Sequence, residues 1–219
     1  MGERQAGSQG RDPFAPELTA PPSAPVTGAF SGAGPVGADN AIPLDFVQKV
    51  KDVTTDWVPT PSVDTSKDYE VSGKKLIDVF NKLVARGSSG EGGGSISNDA
   101  ITDTTSKELT VVLHVKCFRE LPRWKERDKA AAGSQVKWDA MLANLTKHEN
   151  RHVEIIVEAA NKLAKDLPGK SVSLVVGMVQ AAAAAANAKE VALDNATDNG
   201  TKRGVPFGDV FLDTDENGE

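Results

Sequence analysis

His148-Glu149-Asn150-Arg151-His152 reads H-E-x-x-H. On a helix, residues four apart lie one turn apart on one face, so both imidazoles can reach a single metal ion. Glu149 stands beside them, placed to take a proton from a metal-activated water and pass it to a leaving amine. The chemistry that this pattern suggests is zinc-dependent hydrolysis of a peptide bond, with His148 and His152 as ligands and Glu149 as general base.

The five-letter pattern also arises by chance, and two core histidines with local hydrogen bonds are its plainest alternative. Its setting favours the metal. Only three histidines occur in the chain, and two of them are here. Both fall on an apolar helical seam, where an imidazole needs a polar partner.

A third protein ligand is required. If the motif helix is followed by a second, antiparallel one, a rise of about 1.5 Å per residue and a turn near Gly169 bring positions 187–191 level with the motif. Glu190 is then almost level with it, and Asp194 lies about one turn beyond, near the helix end. His114, on a strand, is a third candidate.

The elements that must position these residues show in the apolar spacing. Trp138, Met141, Leu142, Leu145, His148, His152, Ile156, Ala159, Leu163 and Leu167 form one seam at steps of three and four, predicting a helix over residues 134–167 with Ser134 as N-cap and Pro168-Gly169 as its stop. A second long helix over residues 171–195 is apolar nearly all round and is expected to be buried, packed antiparallel on the first. Leu76, Ile77, Phe80, Leu83 and Val84 predict an earlier helix over 74–86 with Gly87 as C-cap. Residues 68–71 and 109–118 alternate as strands, the latter placing Cys117 inside, and 96–105 reads as a further strand. The glycine-rich run at 88–95 lacks the features of a phosphate loop and is expected to be a surface loop.

Residues 1–62 are rich in Pro, Gly, Ala and Ser, with too little apolar side chain to offset chain entropy, and are expected to be disordered apart from a brief helix or docking segment at 44–53. Residues 63–212 are expected to form the folded domain and 213–219 an acidic flexible tail. A net charge of −6 argues against nucleic acid as partner. No run reads as a membrane span, and the first residues lack the apolar core of a secretory signal. A single cysteine rules out an internal disulfide framework and a cysteine-built metal cluster.

The order of features resembles a bacterial family of predicted secreted zinc-dependent proteases, assigned to the zincin-like metallopeptidases. The matching pieces are Tyr69-Glu70-Val71-Ser72-Gly73, the strand ending at Cys117, Leu121-Pro122-Arg123-Trp124, Trp138, the H-E-x-x-H motif, and Leu193-Asp194-Asn195-Ala196-Thr197-Asp198-Asn199-Gly200. The resemblance covers roughly residues 63–208. It implies an α+β, zincin-like fold: a small antiparallel-rich sheet packed on two long antiparallel helices, the first carrying the motif. It moves the choice of third zinc ligand to Asp194, with Thr197 as a group hydrogen-bonding near the ligands, and it implies export. Leu193 stands where the family has an aromatic, and Asn199 where it has a histidine; Asn199 retains the capacity to donate a hydrogen bond to an oxyanion.

The expectation is therefore a Zn2+-dependent peptidase acting on protein or peptide substrates. The rival readings are a non-catalytic, zinc-stabilised binding or delivery module derived from such a peptidase, and a helix-rich structural domain without metal.

Overall fold

The computed structural model describes residues 48–56, 62–102 and 109–214. Its elements are β1 (Val50–Thr55), β2 (Val63–Asp64), β3 (Tyr69–Val71), α1 (Leu76–Arg86), β4 (Glu91–Thr102), β5 (Leu109–Glu120), β6 (Pro122–Trp124), α2 (Ala132–Asp166) and α3 (Val172–Thr197).

The longest strand organises the sheet. In β5, Leu109, Val111, Leu113, Val115 and Cys117 are all buried on one face, as period-2 alternation requires. β4 pairs with β5 antiparallel over its full length, from Glu91 opposite Glu120 to Thr102 opposite Leu109. β1 and β2 lie along the other edge of β5, both parallel to it, and β3 and β6 form a separate parallel pair. The sheet is thus mixed rather than antiparallel-rich. Among the described strands only β4 and β5 are paired chain neighbours; the strands that arrive from earlier in the chain pair in parallel.

Two apolar clusters share α2. Its first half gives Trp138, Met141 and Leu145 to a cluster with Leu76, Val79 and Leu83 of α1, Trp124, Val210 and Leu212. Its second half gives Val153, Ile155, Ile156, Ala160 and Leu163 to a cluster with the inner face of β5 and with Val175, Val179 and Ala186 of α3. The H-E-x-x-H segment lies between these two sets. The seam read from spacing is the buried one, although Leu142 and Ala159 are only partly covered. Ser134 does not cap the helix; it is buried as the third residue of α2, within the first turn, and Ala131 holds the N-cap position without a side-chain bond.

The remaining sequence expectations need correction in three places. First, the folded unit begins before residue 63. β1 runs alongside β5, and Val50 is buried. The backbone just before it is tied to the α2–α3 turn, with Val50 N–H donating to Lys170 O and Val172 N–H to Gln48 O. The end of the expected 44–53 helix or docking segment is therefore a strand; residues 1–47 and 215–219 lie outside the described residues.

Second, the glycine run is largely strand. β4 starts at Glu91, and an ideal Cβ on Gly92 would stand 2.4 Å from the carbonyl oxygen of Glu149. The absent side chain lets the strand backbone press onto α2 at the motif. A close approach of this kind leaves no apolar pattern to read.

Third, α3 is not buried all round. Leu174, Val176 and Val191 are 54%, 58% and 51% exposed. By length and composition alone α3 could cross a membrane. Here its inner side packs on α2 and carries Asp194 and Glu190 toward the motif.

Candidate metal centre

His148, Glu149 and His152 are all buried on α2. The turn between α2 and α3 sends the chain back antiparallel, and the last turns of α3 arrive beside the motif. His152 Nε2 lies 3.1 Å from Asp194 Oδ1, His148 Nε2 lies 3.3 Å from the same oxygen, and the two Nε2 atoms are 3.3 Å apart. These three atoms form a nearly equilateral triangle. A tetrahedral ion with bonds of about 2.1 Å spaces its ligands about 3.4 Å apart. The donor set and the spacing therefore fit three ligands of a small divalent ion, leaving a fourth position for water or substrate.

The His148 imidazole is held in the orientation that such an ion needs. His148 Nδ1–H donates to the backbone carbonyl of Phe207 at 3.0 Å, which leaves the lone pair of the neutral ring on Nε2, facing the triangle. Phe207 has φ 62°, a left-handed conformation that is uncommon for a bulky residue. It belongs to a tightly wound segment in which Asp198, Asn199 and Asp209 also have positive φ. Gly200 allows this segment to close on the site: an ideal Cβ there would stand 2.9 Å from Val210 Cγ2 and 3.3 Å from the His148 ring.

Thr197 and Asn199 shape the same turn. Thr197 is buried; its hydroxyl donates to Leu193 O at 2.8 Å and accepts from Gly200 N–H at 3.0 Å. It therefore acts on Asp194 through the backbone rather than through the carboxylate. Asn199 N–H donates to Asp194 O at 2.8 Å, closing the helix with a left-handed residue. The Asn199 side chain is exposed.

Glu190 and His114, the other ligand candidates, are not brought to the triangle. Glu190 Oε1 faces the opposite nitrogen of His152, 3.8 Å from Nδ1. On the sheet, His114 Nδ1–H donates to Asp56 at 2.8 Å and Nε2–H to Asp99 at 3.1 Å, so both ring nitrogens are engaged.

Burial is the largest single contribution at Glu149, Asp194 and His152, but it decides the outcome only at Glu149. It pushes the Glu149 carboxyl up to about 7, against the pull of His148 and His152 and with the help of Asp194 and Glu91. At Asp194 burial works in the same direction but loses: hydrogen bonds from His148 and His152 hold this carboxyl down at about 2. At His152 burial disfavours the charged ring, but the Asp194 hydrogen bond together with the charges of Asp194, Glu149 and Glu190 outweighs it and raises the imidazole. Beside the triangle, then, is a carboxyl whose protonation changes near neutrality, the property that a general base requires.

Sequence reasoning missed three contributors. Phe207 acts through a carbonyl, which any residue type can offer. Gly90 lies against the base, an ideal Cβ there standing 2.9 Å from Glu149 Oε1; the glycine run was the visible signal, read as a loop. Arg119, on the inner face of β5, donates to Asn150 Oδ1 at 2.8 Å and ties the motif helix to the sheet.

A family model described as a bacterial protein of unknown function (DUF922) matches residues 66–204. No curated protein and no solved structure matches the chain.

Proposed function

The chain belongs to this bacterial family of unknown function, DUF922, and we propose that the protein is a zinc-dependent peptidase with a zincin-like arrangement of motif helix and overlying sheet. One observation carries the reading: the triangle of His148 Nε2, His152 Nε2 and Asp194 Oδ1, with the buried Glu149 carboxyl next to it in sequence. Two imidazoles and one carboxylate at this spacing form a donor set typical of catalytic zinc, in which one position stays open.

A zinc ion there would supply Lewis acidity, lowering the pKa of a water and polarising the scissile carbonyl. The roles of the protein's own groups follow from their positions. Glu149 accepts the proton of the attacking water and returns it to the departing amine. His148, locked by the Phe207 carbonyl, keeps its lone pair on the site. Asp194 brings negative charge from α3, so that the ligand set joins two helices.

The sheet supports a peptide as substrate. Among the described residues β4 has a strand partner on one edge only, β5. Its glycine segment runs directly over Glu149. An extended peptide laid along the open edge would pass the base and gain main-chain hydrogen bonds without any sequence requirement.

The test is hydrolysis of an unstructured protein substrate by the zinc-loaded chain and by Glu149→Gln. Cleavage by the wild type and a loss of at least about 100-fold in the variant, at equal zinc content, is the expected result. Wild-type protein that binds zinc and cleaves nothing would favour a binding module.

A further inference from the structure

α2 presents two histidines one turn apart, and α3 answers with two carboxylates at the same spacing, Glu190 and Asp194. The carboxylates approach opposite nitrogens of the His152 ring: Asp194 Oδ1 lies 3.1 Å from Nε2 and Glu190 Oε1 lies 3.8 Å from Nδ1. Geometry therefore separates two acids that are similar in sequence context. One reaches the ligand triangle, and the other stands behind the ligand.

From this juxtaposition we infer that Glu190 is a positioning residue, the outer carboxylate that accepts the Nδ1 proton of His152 and holds its Nε2 on the metal. The inference rests on the zinc reading above and goes beyond its ligand set. Its logic is that of proton placement. A neutral imidazole that binds metal through Nε2 carries its one proton on Nδ1. The His152 side chain is only 8% exposed, so that N–H has little access to water and is served best by an acceptor inside the protein. Glu190 Oε1 faces it at 3.8 Å, within ion-pair range.

Two further features separate Glu190 from an ordinary surface charge. Its side chain is 17% exposed, although it sits on a helix whose outer face is open to water. β4 passes directly over it, with an ideal Cβ on Gly93 standing 3.3 Å from Oε1. The glycine run thus serves both acids that flank the site: Gly90 and Gly92 lie against Glu149, and Gly93 lies against Glu190. The two metal histidines are then backed differently, His148 by a neutral carbonyl on a strained turn and His152 by a charged carboxylate. A carboxylate partner makes its imidazole the more basic ligand.

The experiment compares Zn2+ affinity, by chelator competition, for the full chain, Glu190→Gln and Glu190→Ala, alongside the melting temperature of each zinc-free protein. Glu190→Ala is expected to bind zinc about 10–100-fold more weakly. Glu190→Gln keeps an acceptor oxygen without the charge and should fall between Glu190→Ala and wild type. Cobalt-loaded wild type and Glu190→Ala should give the same visible absorption spectrum at saturation, because the ligands are unchanged. In the zinc-loaded protein, the His152 Nδ1 proton should exchange with solvent faster in Glu190→Ala.

Unchanged affinity in Glu190→Ala, with the wild type binding zinc, overturns this inference and leaves the zinc site standing. A changed cobalt spectrum overturns it differently, by making Glu190 a direct ligand. Affinity loss matched by an equal fall in zinc-free stability assigns Glu190 a structural role instead. A wild type that binds no zinc removes the zinc reading together with this one.

Discussion

A single oxygen of Asp194 faces two imidazole nitrogens, and each imidazole has a further group facing its far side. At this scale, type and spacing made some roles legible and geometry alone revealed others. His148, Glu149 and His152 stood out because two ligands and a base at helical spacing make a pattern. Asp194 did not: spacing left it level with other candidates, and only the resemblance favoured it. Phe207 left no signal, since its contribution is a carbonyl.

His114 yields a prediction of its own. Hydrogen bonds to Asp56 first, then Asp99, raise its pKa above the ordinary value, outweighing a small opposing effect of burial. A pKa raised in the folded state stabilises the fold fully below the unfolded value, near 6.5, and that contribution is lost as pH rises through the higher folded value. His114→Asn should therefore lower the melting temperature more at about pH 5.5 than at about pH 9. A gap that widens with rising pH would contradict this.

Among the elements, those with clean periodicity were readable and those shaped by close approach were not. α2 and β5 carry unbroken apolar spacing and match their expected extents within a few residues. β1 mixes Lys51, Asp52 and Thr54 into an edge position, so its alternation is faint. α3 is so rich in alanine that no polar face marks its exposed side. β4 hides in glycines because its task is to lie against α2.

That explanation of β4 makes Gly92 critical. Gly92→Ala would drive a methyl into the Glu149 backbone, at a cost of about 1–3 kcal/mol. For a domain of this size the melting temperature should drop by roughly 2–12 °C. Gly133 is the control, since nothing lies within 4 Å of an ideal Cβ there. Gly133→Ala should leave the melting temperature unchanged or slightly higher. Equal behaviour of the two variants would mean that the strand does not depend on its close approach to the motif helix.

For the molecule as a whole, the motif marks the level at which two apolar clusters and two helices meet. α2 passes from one cluster to the other, and α3 returns to the junction with both of its inward acids. A metal bound there would cross-link α2 to the end of α3 and, through His148, to the turn carrying Phe207. The two long helices and their antiparallel packing were visible in the sequence. The parallel strand pairings and the early start of the folded unit were not, because pairing partners distant in the chain leave no local trace. All the proposed chemistry depends on one ion occupying one place. Crystals grown with zinc and measured on both sides of its absorption edge would locate it. One anomalous peak is expected within bonding distance of His148 Nε2, His152 Nε2 and Asp194 Oδ1, about 2.0–2.2 Å from each. No peak at that triangle in excess zinc, or a peak only at surface carboxylates, would contradict it.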